Sequence, residues 1–323
     1  MSQLASILCL LFAGACSDAK DDTKQPPAKP AAAPAADGAF TLECEAPEKV
    51  AVGDTIHLKC TLKNSGPDAQ VREAMFDAKS FDFTVKFGNS PESRFTEYHV
   101  TEEHRPLSLA AADVKQNGAL EFTLDVPALK AGKWTFTPHY NGTGKEPVHG
   151  AAKVITVEAK DGSSETIAHV VTDSGELKVE FWPEVAPATT LHIASLIKKG
   201  FYDGLKFHRT IKGFMIQGGD PKGDGTGGPG YGIQAEFNDR HHEAGVFSMA
   251  RSRDPNSGGS QFFLCDADAG FLDHQYTAFG KVIEGIDVVH AIAAAPAVMA
   301  GEPSPSKPVN PVKMTKAELV LKK

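Results

Sequence analysis

Phe207-His208-Arg209-Thr210-Ile211-Lys212-Gly213-Phe214-Met215-Ile216-Gln217-Gly218-Gly219-Asp220 decides how the C-terminal half of this 323-residue chain is read. Period-two geometry places Met215 and Gln217 on one face of a strand. Gly213 permits a bend that brings Phe214 to the same surface. A second run, Phe247-Ser248-Met249-Ala250-Arg251-Ser252, continues through Asp254-Pro255-Asn256-Ser257 to Ser260-Gln261-Phe262-Phe263. The same periodicity sets Gln261 and Phe263 on one face of another strand. A third run is Phe271-Leu272-Asp273 with Tyr276, followed by Phe279-Gly280-Lys281-Val282. Together they describe an apolar pocket with a few polar groups at its rim and one fixed cation, Arg209. Around these runs, a strand is predicted at 176–181 and a helix from about 188 to 200. Gly200 stops that helix, and Lys198 and Lys199 set two cations against its dipole.

The N-terminal half has a different texture. From 39 to 158, apolar and polar residues alternate: Phe81, Phe83, Val85 and Phe87 against Asp82, Thr84 and Lys86, then Phe122, Leu124 and Val126 against Glu121, Thr123 and Asp125. Turn-forming clusters such as Asn64-Ser65-Gly66-Pro67-Asp68 separate the runs, which predicts an antiparallel β-sandwich. Cys44 alternates in phase with Phe40 and Leu42, and Cys60 with Ile56, Leu58 and Leu62. Both thiols therefore point to the apolar side, as a bridge between adjacent core strands requires; two buried free thiols are the alternative. The stretch from Val52-Gly53-Asp54-Thr55-Ile56 to Asn64-Ser65-Gly66 resembles the opening strands of bacterial immunoglobulin-like domains.

The chain carries 41% hydrophobic and 23% charged residues, the balance of a globular protein, and its length suits two domains. A net charge of -8 with no basic stripe argues against a nucleic-acid partner. No run is long and apolar enough to cross a bilayer as a mature helix. Residues 1–15 read as an export signal: an apolar run from Leu4 ends in Ala13-Gly14-Ala15 directly before Cys16. That arrangement resembles a bacterial lipoprotein signal, which implies a lipid on Cys16 and a membrane contact through that anchor alone. An ordinary cleaved secretory signal is the alternative, leaving a soluble periplasmic or secreted protein. Both place the protein outside the cytoplasm, the first of them on the cell envelope facing the periplasm. Residues 16–38, rich in Ala and Pro, form an extended solvated tether. The sandwich at 39–158, a polar junction at 159–165 and a second domain at 166–323 complete the expected order.

In order and spacing, the three runs of the second domain resemble the signature of cyclophilin-type peptidyl-prolyl cis/trans isomerases. The resemblance implies an eight-stranded antiparallel β-barrel capped by two helices, the second at 285–294. It also implies isomerase activity on proline-containing polypeptides, with Arg209 catalytic and no cofactor or metal. Phe214, Met215, Phe263 and Leu272 would line the proline slot. Gln217, Ala250 and Gln261 would position the substrate backbone, and Arg251, Phe271 and Tyr276 would complete the binding surface. Family members that bind ciclosporin tightly carry Trp where this chain has Phe271 and His where it has Tyr276, so weak binding of that drug is expected. The chemistry suits such a pocket, because prolyl rotation breaks amide resonance against a barrier of ~18–20 kcal/mol and makes no σ bond. A catalyst needs an apolar slot and a donor that stabilises the twisted amide, and a guanidinium donates from a rigid fork.

Other signals carry less. Gly223-Asp224-Gly225-Thr226-Gly227-Gly228 fits a dinucleotide fingerprint, but Pro229-Gly230 follows instead of a helix, so a loop is expected. His241 and His242 are adjacent, which predicts diverging side chains and no metal site. Ser260 has no base in a recognisable arrangement, and Cys265 reads as a small buried hydrophobe. The competing function is a module that holds proline segments with little turnover, or an envelope scaffold built on the sandwich.

Overall fold

The computed structural model describes residues 40–65, 69–71, 81–95, 112–114, 119–141 and 147–323. The signal at 1–15, Cys16 and the tether at 16–38 lie outside the described residues. The described chain is mainly β, with two α-helices.

In the C-terminal half eight strands form one antiparallel sheet. They are β1 (Thr166–Thr172), β2 (Gly175–Phe181), β3 (Arg209–Ile211), β4 (Met215–Gly218), β5 (Val246–Met249), β6 (Phe262–Cys265), β7 (Ala278–Glu284) and β8 (Met314–Leu321). Their spatial order is β3-β4-β6-β5-β7-β2-β1-β8. The sheet curls into a half-barrel, and its two outer strands are joined by the segments that flank them. Phe207 N donates to Val312 O at 2.9 Å, Met314 N to Leu205 O at 2.8 Å, and Lys206 bridges Lys313.

Helix α1 (Pro187–Lys198) has Pro at its first turn, where a missing N–H costs nothing, but Ala186 supplies no side-chain cap. A distant carboxylate does so instead: Glu236 accepts from Ala188 N at 3.1 Å and Thr189 N at 2.6 Å. Residues 187–197 of α1 are all buried, because the helix is enclosed on two sides. One side joins the core of the curled sheet; the other meets the N-terminal strands Phe81–Phe87, Ser93–Phe95 and Ala119–Pro127. Helix α2 (Ile286–Ala293) buries only Val288, Val289, Ile292 and Ala293, the one-sided pattern of a surface helix.

In the N-terminal half, among the described residues, strands Phe40–Glu45, Thr55–Asn64 and Ala119–Pro127 form one antiparallel sheet. A second contains Phe81–Phe87, Gly132–Tyr140 and Lys153–Glu158. Leu42, Ile56, Leu58, Leu62 and Val126 from the first and Val85, Trp134, Phe136 and Ile155 from the second share one buried cluster. Cys44 and Cys60 are register partners across the first sheet, and a disulfide joins them. Their alternation with apolar neighbours placed both sulfurs on the buried side.

The junction at 159–165 is a tight turn. Lys160 and Ser163 exchange backbone hydrogen bonds of 2.9 and 2.8 Å around Asp161-Gly162, both at positive φ, the geometry of a two-residue hairpin loop. Glu165 then pairs with Lys130 at 3.0 Å and with Lys322 at 2.9 Å. Burial pushes its carboxyl up, but the two ammonium groups outweigh burial and hold it below the usual range. One carboxylate thus ties the N-terminal half to β8.

Candidate active site

Antiparallel register places directly paired residues on the same face of a sheet. Arg209 of β3 pairs with Gln217 of β4, Gln217 with Phe263 of β6, and Phe263 with Ser248 of β5. These four form one row across the sheet. Two positions along, Ile211, Met215 and Cys265 form the next row on that face. The intervening residues Ile216, Leu264 and Phe247 face the other way, into the main core.

The outward rows build a separate apolar cluster. Met215, Phe263 and Leu272 are buried in it, and Phe214, Ala250 and Tyr276 pack against it. Phe214 reaches it through the turn at Gly213, whose φ of +75° is disfavoured for residues bearing a Cβ. Gly213 N is held by Asp266 Oδ2 at 2.6 Å. The Phe214 ring lies 5.3 Å from that of Phe271, which is 43% exposed and forms the outer lip. Tyr276 packs edge-on to Phe263 at 5.7 Å. Arg251 lies 4.6 Å over the Tyr276 ring and spends its donors on Gln275 O and Ser252 O, so it braces the rim.

A polar line runs beside this cluster. Arg209 Nη1 donates to Gln217 Oε1 at 3.3 Å and to Met215 Sδ at 3.7 Å. Gln217 Nε2 donates to Gln261 Oε1 at 2.9 Å, and Gln261 Nε2 to Gly225 O and Gly227 O at 3.0 and 2.8 Å. These bonds run donor to acceptor along the line, which fixes the orientation of both amides. The loop at 223–228, expected as a loop without nucleotide chemistry, therefore anchors Gln261. Arg209 Nε donates to Glu302 Oε1 at 2.7 Å, a partner that sequence reasoning missed. Arg209 Nη2 is buried and finds no acceptor among the described residues. The arrangement offers one guanidinium donor beside an apolar cluster, and among the described residues neither Ser260 nor Cys265 is an activated nucleophile there. Ser260 is buried and donates to Gly219 O at 2.7 Å. Cys265 is buried, and burial pushes its thiol up to about 12.

A sequence profile of the cyclophilin type peptidyl-prolyl cis-trans isomerase/CLD family matches residues 167–319. A peptidyl-prolyl cis-trans isomerase of Synechococcus elongatus is 46% identical over 129 residues, covering 39% of this chain and 88% of that protein. This chain belongs to the cyclophilin family. Peptidyl-prolyl cis-trans isomerase activity, which the sequence resemblance implied, comes with that membership. Peptidyl-prolyl cis-trans isomerase B of Bacillus subtilis is 46% identical over 120 residues, covering 36% of this chain and 83% of that protein. Among solved structures, a Cryptosporidium parvum cyclophilin type isomerase, crystallised in the presence of the dipeptide Ala-Pro, is 31% identical with a TM-score of 0.44. That comparison covers 49% of this chain and 99% of the other.

One expectation about the cyclophilin half is corrected. The side chains of His241 and His242 do not diverge; they converge on one carboxylate. His241 Nδ1 lies 2.6 Å from Asp273 Oδ2, and His242 Nδ1 lies 2.9 Å from Asp273 Oδ1. These residues lie outside regular strand, so the alternation assumed for neighbours does not hold there. His241 Nε2 also meets Asp268 Oδ2 at 2.6 Å, while His242 is buried with its Nε2 3.0 Å from Ser248 Oγ. No group of three or more His, Cys, Asp or Glu side chains arranged so that it could hold a metal ion occurs among the described residues.

The bonds to Asp273 and Asp268 raise His241 from its ordinary value of 6.5 to about 9. A raised folded-state value means the contribution to stability is complete below about pH 6.5 and is lost as pH rises through about 9. The melting temperature of wild type should therefore exceed that of His241→Gln at pH 6, with the gap closing by about pH 10. A gap that is the same at both pH values contradicts the assignment.

Proposed function

We propose that this isomerase acts as a foldase for exported chains, using Arg209 as its catalytic residue. The observation that carries the reading is the Arg209 guanidinium, held by Glu302, Gln217 and Met215 beside the cluster of Met215, Phe263 and Leu272. A proline ring held on that cluster, with Phe214 and Phe271 at its lip, sets the prolyl amide next to the guanidinium. As the amide twists, its nitrogen recovers a lone pair, and a charged donor favours that state over the planar one. Gln217, Gln261 and the Ala250 backbone hold the substrate chain, with Arg251 and Tyr276 closing the rim. The N-terminal half, an immunoglobulin-like sandwich in this account, is carried on the 16–38 tether from a lipidated Cys16. That arrangement keeps the isomerase near the membrane, where exported chains emerge. A Cys16→Ser variant should leave the membrane fraction with which the wild-type chain sediments; unchanged sedimentation argues against the anchor.

Arg209→Ala should remove most turnover of a proline peptide while the domain still folds, with a melting temperature lowered by the loss of the Glu302 ion pair. The loss of a charged hydrogen bond, ~1.5–3 kcal/mol, corresponds to roughly a 10- to 150-fold fall in kcat/KM. Arg209→Lys should fail as well, because a point charge on a flexible stem does not reproduce the fork. Wild-type turnover in either variant sinks the mechanism.

Ciclosporin should inhibit weakly. Phe271 keeps ring packing at the lip but has no N–H to offer, and leaving an acceptor unpaired at a partly buried contact costs about 1–3 kcal/mol. Phe271→Trp should tighten inhibition by about 5- to 150-fold. Tight inhibition of the unmodified enzyme would refute the role given to the missing donor.

A further inference from the structure

A short hairpin, Ala297–Val298 paired with Lys307–Pro308, lies along the free edge of β3. Thr210 N of β3 donates to Ser306 O at 2.9 Å, and Ser306 N donates to Val298 O at 3.1 Å. This pairing fixes the hairpin to the strand that carries Arg209. The loop between its strands places Glu302 on the guanidinium: Nε to Oε1 is 2.7 Å, with the two side chains 19% and 15% exposed. The contact is single-pronged. A carboxylate laid flat against the guanidinium edge would take Nε and Nη2 together. Here Glu302 Oε2 and Arg209 Nη2 are both buried without hydrogen-bond partners among the described residues.

From this geometry we infer that Glu302 is a positioning residue for the isomerase reaction, which fixes the Arg209 guanidinium in its orientation beside the apolar cluster. The inference rests on Arg209 being the catalytic residue. Two contacts define the guanidinium plane: Nε on Glu302 and Nη1 on Gln217 with Met215. With one contact removed, the plane turns about the remaining one, and the guanidinium loses its fixed orientation. The ion pair is shielded, so it resists salt and holds the side chain more firmly than a surface pair does. Neighbouring Pro303 and Pro305 are exposed, so within 302–305 it is Glu302 that turns inward, onto Arg209. A residue that aims the donor acts on the twisted state more than on ground-state binding, which the apolar cluster supplies.

The test uses the full chain, a proline peptide and five proteins: wild type, Glu302→Ala, Glu302→Gln, Arg209→Ala and the Arg209→Ala/Glu302→Ala double variant. Glu302→Ala should lower kcat about tenfold with KM held within about twofold. Glu302→Gln, whose amide oxygen still accepts from Nε, should recover part of the loss. The double variant should match Arg209→Ala alone, because without the guanidinium there is nothing to aim. The Arg209 Nε–H resonance in the NMR spectrum should move upfield in Glu302→Gln, a change that a purely structural role of the hairpin would not require. Unchanged or increased kcat in Glu302→Ala overturns the proposal, the increase marking Glu302 as a latch that restrains Arg209. If Glu302→Ala does not fold, Glu302→Gln decides: reduced kcat with a shifted Nε–H supports the proposal, and unchanged kcat overturns it. Wild-type turnover in Arg209→Ala would refute the reading of Arg209 itself. An inactive Arg209→Ala with fully active Glu302 variants would refute the role of Glu302 alone.

Discussion

The register of four strands, β3-β4-β6-β5, is the constraint on which the site depends. Arg209, Gln217, Phe263 and Ser248 meet in one row because each pair of strands is aligned at those residues. Side chains alternate with period two, so a slip of one residue in any pair would exchange the two faces. Met215 and Phe263 would turn into the main core, and Ile216 and Leu264 would face outward. The core prevents this slip, since Ile216, Leu264, Phe247 and Phe262 are buried on the inner face. Packing energy on one face therefore fixes the position of chemistry on the other.

The outer face then solves an electrostatic problem. A guanidinium near an apolar cluster loses hydration, and Arg209 is offset by a carboxylate, an amide and a thioether. Gln217, Gln261 and the carbonyls of Gly225 and Gly227 continue that support outward in a consistent donor-to-acceptor direction. In the proposed mechanism, a reaction that makes no new σ bond asks for a fixed donor and a surface that grips a ring, the roles proposed for Arg209 and the outer cluster. The rest of the chain is joined to this unit through Glu165 and through α1, whose N-terminal amides are capped by Glu236. Burial raises the Glu236 carboxyl above its usual range, although the amides and the Ser93 hydroxyl of the N-terminal half oppose the shift. The loop that carries Glu236 thus contacts both halves.

How far the sequence reveals this depends on the range of each interaction. The row of Arg209 and Gln217 was legible because both lie in one run of fourteen residues around a single turn. The second helix was expected from the family resemblance, and the Cys44–Cys60 pair from its phase in two strands. Glu302 was not legible: it lies 93 residues from Arg209, in a loop rich in Pro and Ser with no periodicity to read. The junction at 159–165 read as a polar link, because nothing local shows that Glu165 meets Lys130 and Lys322. The convergence of His241 and His242 on Asp273 was missed for a related reason: neighbour alternation is a property of strands, and these residues lie in a loop shaped by a partner 31 residues away.

The central claim is that the described surface turns prolyl bonds over as well as gripping them. Magnetisation-exchange NMR on a short Ala-Pro peptide with a catalytic amount of the full chain separates the two. Isomerisation requires cis-to-trans exchange cross-peaks at mixing times far shorter than the uncatalysed exchange of tens of seconds, with the cis fraction unchanged. Line broadening of the peptide without exchange cross-peaks would show binding alone and contradict the account.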